Sequence, residues 1–154
     1  MATQVIIFLN LLVYSFIVSQ SFSYIISLEN VQKNLPVISY IEFRKLTDKN
    51  FRARFKWAFY AALITGPVAI YLAGKNSGIV LFISTIVSYI AFWTDAIIMI
   101  KGNLPINALM NTWTAENYPQ NWMAYRDKWL SVFRLRQLAN ITGFISLLAG
   151  IVFG

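Results

Sequence analysis

The residues best suited to chemistry lie where charge is least at home. Asp95 sits inside AFWTDAIIMI, a run otherwise apolar enough for a membrane interior. A lone ionised carboxylate there is costly, so it must face the inside of a helix bundle or a wet cavity, and find a partner. Lys101 follows six residues later. At 1.5 Å per residue, Asp95 then lies about 9 Å inside that end of its helix. Arg136 lies at a comparable depth in the last apolar stretch, and the two are predicted to pair. Trp129, Phe133, Arg136 and Asn140 recur at i, i+4, i+7 and i+11, so they share one helix face. Arg134 falls well round the helix from Arg136 and is expected to reach toward lipid headgroups. Ser84, Ser88, Ala91 and Asp95 form a small, polar stripe suited to close helix packing. In the first apolar stretch, Asn10 and Gln20 are amides of the kind that join helices. Gln20 lies near the depth of Asp95 and is counted with the candidate site.

The elements that must position these groups follow from composition. Of 154 residues, 58% are hydrophobic and 12% charged. A water-soluble domain carries about a quarter charged residues, so the expected solvent is lipid. A bilayer core needs about 20 apolar residues per helix. Four stretches qualify, at about 5–27, 55–73, 78–100 and 130–153. The fold class is therefore all-α: one integral membrane domain over 1–154, built as a four-helix transmembrane bundle. The first stretch has no basic residue before it and no small-residue cleavage site, which favours a retained helix over a signal peptide. Gly66-Pro67 in the second stretch marks a kink or a close contact.

Charge placement orients the bundle. Twelve of the 13 basic residues fall in the first loop, or in the third loop and the start of the fourth stretch; only Lys75 lies opposite. The positive-inside rule then puts loops one and three in the cytoplasm and both termini outside. The expected location is a bacterial inner-membrane type of cell membrane. The net charge of +7 reads as topology and lipid-headgroup attraction, with no nucleic-acid partner. Cysteine and histidine are absent, which removes Cys/His metal sites and Cys- or His-based catalytic groupings. No metal or cofactor is called for.

Both cytoplasmic loops look structured. In loop one, Pro36 suits a helix start. Ile38, Ile41, Phe43 and Leu46 then give a rough apolar face, as in an amphipathic helix at the membrane interface; a solvated connector is the alternative. Loop three, from Lys101 to about Lys128, is long and holds Trp113, Trp122 and Trp129. These suit an interfacial aromatic belt or the lining of a site.

Loop three also carries a resemblance. NLPIN (Asn103, Pro105, Asn107), then Trp113, then Arg126, Trp129 and Arg136 entering the last helix resemble the anthrone oxygenase-like family of small four-helix membrane proteins. That family shows an N-x-P-x-N element, a tryptophan segment and an R-x-x-W-x-x-x-H-x-x-R pattern. The likeness is clearest over about 95–145, and the family histidine position is Phe133 here. The resemblance implies a four-helix membrane fold. For some relatives it implies oxidation of anthrones to anthraquinones without a cofactor. In such a reaction Asp95 would be the base. Arg136, Asn107 and Gln20 would stabilise the oxyanion, and Trp113, Trp129 and Phe133 would sandwich the rings. An arginine-paired carboxylate is a weak base, which favours a blander role for the pair.

Three readings follow. The first is a module holding a hydrophobic small molecule or lipid in a polar-floored pocket near the cytoplasmic face, with Asn103 and Asn140 added to the binding residues. The second is an oxygenase acting on anthrone- or quinol-like aromatics. The third is a structural or assembly subunit, pairing with itself or another membrane protein. Proton or ion transport through Asp95 finds little support, because the membrane interior holds one acid and no histidine.

Overall fold

The computed structural model describes residues 1–154, and every regular element is helical. Four helices are long and apolar enough to cross a membrane: α1 (Ala2–Asn34), α3 (Lys56–Asn76), α4 (Ile79–Met110) and α5 (Trp122–Phe153). A fifth, α2 (Val37–Arg54), joins α1 to α3. Outward rows such as Ile83, Ile90 and Ile97 on α4, and Leu138, Ile145 and Val152 on α5, are exposed at seven-residue spacing. This is the pattern of helices bathed in acyl chains. The chain is a multi-pass helical membrane bundle with a basic end, where α2 sits, and a distal end.

Three helices outrun their apolar segments. α1 extends to Asn34 through a π-helical turn at Tyr24–Leu28. α4 passes Lys101 through a second π-turn, Met99–Asn103, and reaches Met110. α5 begins at Trp122. The long third loop read from the sequence therefore shrinks to residues 111–121. Hydropathy ends where lipid ends, whereas a helix continues as long as tertiary partners reward it.

The helices meet through small residues toward the distal end. On α3, Ala58, Ala62, Gly66, Ala69 and Ala73 are buried, beside Ile7, Tyr14 and Ile17 of α1. Thr65 donates to Asn10 Oδ1 at 3.0 Å, the amide joint expected of Asn10. Gly66 packs against the Tyr89 ring, so the Gly66-Pro67 step marks a close contact. The Ser84–Ser88–Ala91–Asp95 stripe of α4 faces α5. A Cβ added at Gly143 would lie 2.8 Å from Ala91 Cβ, and one at Gly150 would lie 2.5 Å from Ser84 Cβ. Small residues let backbones approach this closely in lipid, where no hydrophobic force draws helices together.

The basic end is built differently. α2 forms after Pro36, whose carbonyl accepts the first helical hydrogen bond from Tyr40 N. Its inward face is Tyr40, Ile41, Arg44 and Asp48. Of the apolar face expected at the membrane interface, Ile38 and Leu46 are 47% and 61% exposed, while Ile41 turns inward. The inward face meets a large aromatic cluster. Tyr24, Tyr40, Trp113, Trp122, Trp129 and Phe133 are all buried together, and this face packs there. The three loop tryptophans thus form an internal cluster and not a lipid-facing belt; Trp57 and Trp93 are the exposed ones.

Candidate functional site

Beyond Asp95 and Met99, polar groups recur every fourth residue at Asn103 and Asn107 of α4 and at Asn111, which caps its end. Four residues overshoot one α-helical turn, so such a row drifts around the helix. The wider π-turn at Met99–Asn103 undoes part of that drift. The row therefore faces α5 at Asp95 and α2 at Asn107.

Asp95 and Arg136 form the predicted pair. Arg136 Nε donates to Asp95 Oδ1 at 2.6 Å and Nη2 reaches Oδ2 at 3.4 Å. Both residues are 7% exposed. Arg136 Nη1 also lies 3.5 Å from Asn103 Oδ1, and Asn103 Nδ2 donates to the Trp129 carbonyl at 3.0 Å. The pair therefore ties α4 to α5.

Asn107 is the centre of a second network. Its Oδ1 accepts from Arg44 Nη2 and from the Trp129 indole N–H, each at 2.8 Å. Its Nδ2 donates to Asp48 Oδ1 at 2.9 Å. Asp48 Oδ2 accepts from Asn111 at 2.8 Å and from Arg52 at 2.9 Å. Arg44 lies over the Trp129 ring, 3.8 Å from its centroid, and Nη1 donates to the Tyr24 hydroxyl at 3.2 Å. Gln32 donates to the same hydroxyl at 2.8 Å. The network joins α1, α2, α4 and α5. Lys45 adds a bond to the Trp113 carbonyl, which pins the 111–121 connection to α2. Burial pushes the nearby Tyr40 hydroxyl above the usual phenol range, so it stays neutral.

Between the two networks lies a cavity of about 340 Å³. Asp95, Arg136, Arg44, Asp48, Asn103 and Asn107 supply its polar side, and Phe51, Phe55, Phe59 and Phe92 supply its apolar side. Arg52, Lys56, Tyr60 and Ile100 also border it. These four are exposed and form its rim.

The sequence-selected residues divide accordingly. Asp95, Arg136, Gln20, Asn103, Asn107 and Trp129 border the cavity; Trp113, Phe133 and Asn140 do not. Phe133 stacks directly on Trp129, with centroids 5.1 Å apart and planes at 13°. The slot expected between those rings is closed. Trp113 packs edge-on to Tyr125 at 5.5 Å. Asn140 is buried a turn beyond Arg136, and its Oδ1 has no hydrogen-bond partner. Arg134 bonds Glu29 at 2.6 Å, because the lengthened α1 brings Glu29 beside it, and its side chain stays 54% exposed. Arg44, Asp48, Asn111, Tyr24 and Gln32 were not singled out from the sequence. The signal for two of them was the i, i+4, i+8 row Tyr40–Arg44–Asp48.

Chemically, both acids of the cavity are fully engaged. Asp95 has each oxygen on Arg136, and Asp48 has each oxygen on amide or guanidinium donors. Comparison with protein-family models, curated proteins and solved structures finds no match to this chain.

Proposed function

We propose that this protein holds a hydrophobic small molecule or lipid in the cavity at its basic end. The observation that carries this reading is the cavity's two-sided wall: phenylalanines on one side, a fixed polar network on the other. Ligand pockets of a few hundred Å³ typically combine an apolar lining with a few placed polar groups. The basic end lies in the cytoplasm by the positive-inside rule, in a cell membrane of the bacterial inner-membrane type, with both termini opposite. The N-x-P-x-N element contributes Asn103 and Asn107 to this cavity, which supports grouping the chain with the anthrone oxygenase-like proteins.

One observation favours the oxygenase reading: Asp95 borders the cavity. Its engagement by Arg136, and the closed Trp129–Phe133 slot, weigh more heavily on the other side. The Asp95–Arg136 pair is better explained as a lock between α4 and α5 that also floors the cavity.

The test is retention. Protein purified in a neutral maltoside detergent is extracted with organic solvent and the extract analysed by mass spectrometry. An apolar molecule should be retained in near-stoichiometric amount, and Phe59→Trp, which narrows the apolar side, should lower it. A folded protein that retains nothing, and takes up nothing from a total lipid extract, would rule the proposal out.

A further inference from the structure

Charge around the cavity does not balance. Four cationic side chains border it (Arg44, Arg52, Lys56, Arg136) against two carboxylates, Asp48 and Asp95. Arg136 is neutralised by Asp95 and Arg52 by Asp48. Arg44 and Lys56 form no salt bridge. Lys56 is exposed, where water serves it. Arg44 is 3% exposed. Its guanidinium touches only neutral groups: the Tyr24 hydroxyl, the Asn107 carbonyl oxygen and the Trp129 face. Its Nε is buried with no hydrogen-bond partner. A buried charge without a counter-ion is costly, and the aromatic face offsets only part of that cost. Asp48 is one helical turn away, yet the Asn107 amide stands between the two, bonded to each. The acid is thus held at one remove from the arginine.

We infer that the ligand is an anionic amphiphile, whose carboxylate or phosphate group binds Arg44 while its apolar body lies along Phe51, Phe55, Phe59 and Phe92. This rests on the reading that the cavity holds an apolar molecule, and names its charge. Guanidinium is suited to both anions, since its fork of donors matches two oxygens at once. Lys56 at the rim lies where an approaching anion would meet it, an unpaired positive charge at the entrance that raises local anion concentration. The apolar rim residues Tyr60 and Ile100 suit entry of a chain from the bilayer side.

The experiment compares probes that share a chain and differ in charge. Laurate, lauryl phosphate and dodecanol are titrated onto the purified protein in neutral maltoside micelles and read by native mass spectrometry. Laurate or lauryl phosphate should bind at least about tenfold tighter than dodecanol, since a charge-assisted contact is roughly twice a neutral one. Arg44→Gln should abolish that preference, so that acid and alcohol bind alike. Equal binding of acid and alcohol to the wild type would overturn the anionic inference and leave the apolar-ligand reading standing. No binding of any probe would overturn both. Inorganic phosphate competing as well as lauryl phosphate would make the ligand a free anion and overturn the amphiphile. Whichever acid binds more tightly identifies the headgroup class. Independently of any variant, a diazirine-bearing fatty acid should label the Phe51–Phe59 segment or Phe92. Labelling confined to the outward Ile83–Ile90–Ile97 row would overturn the placement.

Discussion

The distal and basic halves of this bundle hold their helices together by opposite means. Toward the distal end, side chains shrink to Gly, Ala and Ser, and the backbones close up, as at Gly143 on Ala91 and Gly150 on Ser84. Toward the basic end, side chains are large and hydrogen-bonded, and Asn107 alone joins Arg44, Asp48 and Trp129. Lipid supplies no hydrophobic drive between helices, so close contact and polar bonding are the two options left. The cavity walled by Arg44, Asp95 and the phenylalanines lies in the half tied by polar bonds, and a second opening lies at the distal tips, lined by Met1, Thr3, Asn76 and Gly154. The polar bonds that tie the basic half together also supply one wall of its cavity.

Substitutions break this contrast by graded amounts. The largest effect is expected from Arg136→Met, which orphans buried Asp95 and should cost about 3–5 kcal/mol, read as a fall in unfolding midpoint in detergent. Adding Asp95→Leu should recover much of it; a double variant no more stable than the single one would show that the pair is not a lock. Next comes Asn107→Leu, which strands Arg44, Asp48 and the Trp129 indole together. About 2–3 kcal/mol is expected from the unmet buried groups, with faster hydrogen exchange in α2 and little change in α3. Gly143→Ala probes the other half. Its methyl would collide with the Tyr14 hydroxyl and crowd Ala91, an overpacking worth about 1–3 kcal/mol. Tyr14→Phe should relieve part of that loss, and failure to do so would mean the contact is not steric. The smallest effect is expected from Arg134→Gln. Its bond to Glu29 is exposed, with Arg134 at 54% side-chain exposure, so the change should stay below about 1 kcal/mol.

Much of the distal half was legible in the sequence, because it obeys short rules. Apolar length located the four spans, and the Ser84–Ala91 spacing located the close contact. Asp95 and Arg136 were legible for a related reason: charge is scarce in those segments, so one acid and one base at equal depth have few alternatives. The basic half was harder to read. Arg44 and Asp48 lie among many charged residues of the first loop, where any single charge looks like part of a solvated face. Their role depends on Asn107, more than 50 residues away in the chain. The extension of α4 to Met110 escaped hydropathy, because Asn103 and Asn107 are polar and stay helical through partners on other helices. Phe133 was placed on the correct face, yet its packing against Tyr24, whose ring centroid lies 4.4 Å away in another helix, was not legible from spacing.

The π-turn at Met99–Asn103 gives this architecture an adjustable joint. Deleting one residue there would restore plain α-helical winding and leave Asn107 and Asn111 facing nearly the same way, since a π-turn is an α-helical turn that has absorbed one extra residue. A single residue can therefore be gained or lost at this point with the polar row beyond it and the anchoring portion before it both keeping their partners.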